Sequence, residues 1–159
     1  MSHNPHAGHA STRPAPSVNA LAFSATRHCL TGCAIGEILG VLLGGALGVG
    51  QGAALVLGVG LAFVFGYAFT FVPLIRGGMA LGRATQVTLA ADTISIVVME
   101  VVDNAVILMV PGAMDAGLAH PLFWASLVGG LGVAFAVALP VNRWLIARGR
   151  GHAIAHGAH

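Results

Sequence analysis

A chain of 159 residues that is 57% hydrophobic and only 8% charged cannot cover a water-facing surface, since about a quarter of the residues of a soluble domain are charged. Its seven basic residues are all arginines against five acids, a surplus too small, with no accompanying motif, to imply nucleic acid as a partner. Two cysteines four positions apart, Cys29 and Cys33, exclude a secreted disulfide scaffold, which leaves one small helical membrane domain.

Residues 1–26 read as a polar, disordered cytoplasmic tail with Pro5, Pro14 and Pro16. They lack the apolar run and cleavage site of a signal peptide. Four apolar segments follow, about 28–49, 53–75, 85–110 and 120–146, within a transmembrane domain of residues 27–147. Each reaches the roughly 20 helical residues that cross a bilayer core. Helices are the economical choice because they satisfy their own backbone polar groups in lipid. The expectation is an all-α, four-transmembrane-helix bundle.

The connections fit hairpins. Gly50-Gln51-Gly52 makes a tight turn, Pro73 and the stretch from Arg76 to Arg83 part the second and third spans, and Pro111-Gly112 ends the third. Pro140 should kink the fourth helix or mark its fraying end. Arg13, Arg27, Arg76, Arg83, Arg143, Arg148 and Arg150 all fall on one side of a four-span topology. By the positive-inside rule both termini are cytoplasmic, and the membrane is the bacterial inner membrane. Residues 148–159 form a second cytoplasmic tail. His3, His6 and His9 before the bundle and His152, His156 and His159 after it could gather metal at that face.

The first span carries Gly32, Gly36, Gly40, Gly44 and Gly48 at every fourth position, and the second carries Ala54, Gly58, Ala62 and Gly66. Ridges without bulk let two helix backbones approach closely, so spans one and two should form a tight hairpin.

Four of the five acids, Glu37, Asp92, Glu100 and Asp103, lie inside the spans. An ionisable group at the bilayer centre costs on the order of 2.5 kcal/mol or more, so it faces the bundle interior or a water path. Such acids either glue helices together or form an ion or proton route. Asp92, Ser95, Met99 and Asp103 share one helical face, with Glu100 to its side; Cys29, Cys33 and Glu37 follow one another at spacing four on the first span. If spans one and three face each other, the set forms a ladder: His28 and Cys29, then Cys33 with Asp92, then Glu37 with Met99 and Glu100, then Asp103. Thiolate and thioether favour soft ions such as Cu(I) and Zn, and imidazole suits Zn, Cu, Fe and Ni. A row of incomplete sites suits passage, which needs binding that is favourable yet escapable.

From His28 to Trp144 the chain resembles an uncharacterised bacterial four-helix membrane family, a domain of unknown function. The resemblance rests on His28-Cys29-x-x-x-Cys33-x-x-x-Glu37, on Asp92-Thr93-x-Ser95 with Met99-Glu100-x-x-Asp103-Asn104, and on Asn142-x-Trp144. It implies a link to multicopper-oxidase-type proteins and leans the metal toward copper.

The first functional expectation is therefore a protein that binds or transports a transition-metal ion, copper first and zinc or iron next. Its metal residues are His28, Cys29, Cys33, Glu37, Asp92, Met99, Glu100 and Asp103. Its partners are the lipid bilayer, a homo-oligomer or membrane partner, and a multicopper oxidase or metal chaperone. Alternatives are a proton-coupled exporter of the small multidrug resistance type, a non-catalytic subunit of a membrane complex, and a thiol oxidoreductase. The exporter fits Glu37 but wants more than 6% aromatics for its pocket, and the oxidoreductase is disfavoured by a reducing compartment. Soluble enzyme motifs are absent.

Overall fold

The structure is a computed structural model that describes residues 17–148. Among them are four helices and no strand: α1 (Val18–Leu47), α2 (Gln51–Arg76), α3 (Leu81–Met109) and α4 (Pro121–Ala147). They span 26 to 30 residues, roughly 40 Å at about 1.5 Å per residue, against about 30 Å of bilayer hydrocarbon. By length and composition α1, α2 and α4 are apolar enough to cross a membrane. α3 is of similar length, but Asp92, Glu100 and Asp103 interrupt its apolar run.

Two expectations need correction. Helix α1 begins at Val18, so residues 18–26 are not a disordered tail. Nothing from Val18 to Leu30 breaks a helix, and the Ser17 hydroxyl accepts the Ala20 N–H at 3.2 Å as an N-cap. The extra turns bury Ala22, Ala25 and Thr26, and Phe23 meets Phe135 of α4 edge to face at 5.6 Å. Of the two outcomes expected at Pro140, a fraying end is the one overturned, since α4 continues past it to Ala147. The six tail histidines lie outside the described residues.

Turn chemistry sets the boundaries. Gly48 ends α1 with φ 66°, and Gly78 and Gly112 take φ 87° and 79° in the two following connections, conformations that favour glycine. His120 caps α4, its Nδ1 accepting the Leu122 N–H at 3.1 Å.

Helix α1 packs most closely on α2, and α3 on α4. The α1–α2 pair is antiparallel and almost backbone on backbone. A Cβ at Gly32 would lie 2.7 Å from the Gly66 nitrogen, and one at Gly40 would lie 2.5 Å from the Gly58 Cα; one at Gly36 would overlap the Ala62 backbone. The two small-residue ridges read from the sequence thus meet along their length. At the far side of α2, Ile96 of α3 fills the space beside Gly66. Successive helices run alternately up and down, which collects the exposed Arg27, Arg76, Arg83, Arg143 and Arg148 at one end.

Candidate functional site

Helix α1 carries two stripes side by side. Gly32, Gly36 and Gly40 form one; Cys33 and Glu37, each one residue later, lie about 100° round the helix on the next. The first stripe closes against α2, which turns the second toward α3. There the buried face of α3 presents Asp92, Ser95, Ile96, Met99, Glu100 and Asp103.

The facing is as expected, but the register is not. Cys29 lies beside Asp92 and Ser95, Cys33 reaches Glu100, and Glu37 meets Asp103. The expected pairing of Cys33 with Asp92 is displaced by about one turn. The early start of α1 explains the shift: depths counted from residue 28 and residue 85 misalign helices that begin at Val18 and Leu81. The His28 ring stacks on Phe69 of α2 at 6.5 Å.

The seam is dry. Asp103 and Cys33 are completely buried, and Cys29, Asp92, Met99 and Glu100 are nearly so. Among the described residues no hydrogen-bond donor meets either carboxyl oxygen of Asp103, Oε1 of Glu37 or Oε1 of Glu100. The carboxyl groups of Glu37 and Asp103 face each other across the seam. Asn104 Nδ2 donates to Glu100 Oε2 at 3.3 Å and to the Glu100 carbonyl at 2.8 Å. Among the described residues no three His, Cys, Asp or Glu side chains converge on one metal-binding point. The donors form a row of pairs instead.

Three features of the site lie beyond the sequence reading, which holds Asn142 only as part of the motif Asn142-x-Trp144. Asn142 of α4, 3% exposed, donates to Thr26 Oγ1 at 2.8 Å and to Ser95 Oγ at 2.9 Å, tying α1, α3 and α4 together at the arginine end of the seam. The Thr26 hydroxyl donates to the Ala22 carbonyl at 2.8 Å. Thr26 stands in the stretch that composition reads as tail, so the sequence alone gives no sign of this node. Gly130 of α4 is the second: a Cβ there would overlap the Asp103 carboxyl, so α4 forms a close wall behind the buried acid. A glycine in a glycine-rich helix carries no sequence sign of such a role.

The third is a cavity of about 250 Å³ at the other end of the bundle. Glu37 and Asn104 line it where it meets the seam. Gln51 and Asp115 line it beside the loops, where the Gln51 amide donates to the Asp115 carboxylate.

These elements define a multi-pass helical membrane protein with an acid and thiol seam in its interior. The chain belongs to the family described as a domain of unknown function, DUF4396, whose model matches residues 19–151 and so spans the entire seam. No curated protein and no solved structure matches the chain.

Proposed function

We propose that the chain crosses a bacterial inner membrane four times, with both termini cytoplasmic, and passes a cation along the α1–α3 seam. In this reading α3 is the fourth span, its acids shielded by α1 and α4 rather than by water. The cargo is a soft transition-metal ion, copper first and zinc or iron next, and the carboxyl groups exchange protons against it. The observation that supports this most is the composition of the buried seam: two thiols, one thioether and four carboxyl side chains in register. Buried acids in a membrane helix usually line a substrate or ion route, and sulfur donors select soft ions. Pairs of donors, rather than a closed cage, hold an ion loosely enough to release it. A multicopper oxidase or metal chaperone is the partner class this reading calls for.

The test is metal content. Protein purified in mild detergent without a histidine tag, loaded anaerobically with Cu(I) or Zn, is assayed by elemental mass spectrometry beside Cys29→Ser/Cys33→Ser. Near-stoichiometric metal that disappears in the double variant is the expected result. Absence of bound metal after loading removes the metal cargo from the proposal.

A further inference from the structure

The cavity beside the α1–α2 turn is not needed by the metal reading, and its chemistry is different. Its walls are apolar, with Val41 from α1, Leu55 and Val59 from α2, Ile107 from α3, and Phe123 and Leu127 from α4. The charged side chains on its lining are both acids, Glu37 at the seam and Asp115 at the loops. The described arginines flank the helix ends at the opposite end of the bundle. A cavity of this kind repels anions, gains little from neutral polar molecules, and rewards apolar surface that carries one positive charge. Phe123 adds an aromatic ring, whose face attracts a cation, quaternary ammonium groups above all. The volume lies somewhat below the roughly 300–1,000 Å³ of drug-sized pockets, so the ligand is small.

We propose that this cavity is a binding site for a small apolar organic monocation, of the quaternary ammonium or protonated amine class, with Glu37 as its counter-ion and Asp115 attracting it at the loop end. The site shares only Glu37 with the metal seam and stands whether or not the seam carries metal. Gln51, by occupying the Asp115 carboxylate, holds the loop over α2 and keeps the cavity formed.

The probe is radiolabelled benzyltrimethylammonium, with neopentylbenzene as its neutral isostere, measured by equilibrium dialysis on the full chain in detergent. The cation should bind, the isostere should compete poorly, and Glu37→Gln should weaken binding about tenfold or more, the scale of one lost charge-assisted contact. Cys29→Ser/Cys33→Ser should retain cation binding even as it loses metal, so that failure of the metal reading and failure of this one are separately visible. Equal competition by the neutral isostere would mean an apolar cavity open to any lipid chain and overturns the proposal. So does an affinity unchanged by Glu37→Gln, or no binding of the cation at all.

Discussion

Helix α1 serves two interfaces that could hardly differ more. Toward α2 it offers glycine, and the two backbones touch with no side chain between them. Toward α3 it offers Cys29, Cys33 and Glu37, and the space is filled by sulfur and carboxyl groups. The first carries no acid, and the second carries most of the acids in the chain. The glycine contact is a rigid spine. Packing in lipid has no hydrophobic drive between helices, so close van der Waals contact must supply the adhesion. That adhesion offsets the cost of keeping acids inside the bundle on the neighbouring stripe.

The comparison breaks most visibly at Gly36. Gly36→Ala drives a Cβ into the Ala62 backbone and should cost about 3 kcal/mol, the upper part of the usual overpacking range; an unchanged thermal midpoint in detergent would disprove the close α1–α2 contact. Gly58→Ala, on the same interface, meets its nearest atoms at 3.5 Å, an ordinary contact, and should cost far less. The two substitutions together separate the geometry of the contact from any general intolerance of alanine.

On the polar side, Asn142→Ala removes the two bonds donated to the buried Thr26 and Ser95 hydroxyls and should cost about 1–3 kcal/mol. Because the node lies beside Cys29, the variant should also speed the reaction of that thiol with a maleimide; a labelling rate equal to wild type would mean that the node does not close the arginine end of the seam. Gly130→Ala displaces the Asp103 carboxyl and should destabilise by about 1–2 kcal/mol. Asp103→Asn combined with it should lose less than the sum of the two, since both disturb one contact. The smallest effect, and of opposite sign, belongs to Gly45→Ala. Nothing lies within 4 Å of its added Cβ, so helix propensity alone should raise stability by about 0.5–1 kcal/mol, read as a small upward shift of the melting midpoint.

Much of the architecture was legible before any coordinates. The four apolar runs become four helices, with ends within a few residues of those expected except at the start of α1. The small-residue ridges read at spacing four become the α1–α2 contact. Periodicity also put Cys33 and Glu37 on one face and Asp92, Ser95, Met99 and Asp103 on another, because a helix repeats its direction regardless of what surrounds it. The start of α1 was missed because a proline-rich lead was extended too far along the chain, and the ladder's register slipped with it.

What the amino-acid sequence determined alone is everything that depends on local repetition: the number of helices, their turns, their apolar character, the glycine face and the acid face. Only the tertiary structure decided which rung meets which, that His28 turns to Phe69, that Asn142 bridges Thr26 and Ser95, that Gly130 backs Asp103, and that a cavity opens beside Glu37. Those are contacts between residues as many as 116 positions apart. Helical periodicity sets a side chain's direction but not its depth against another helix, and depth is set by where each helix starts and how closely the backbones pack.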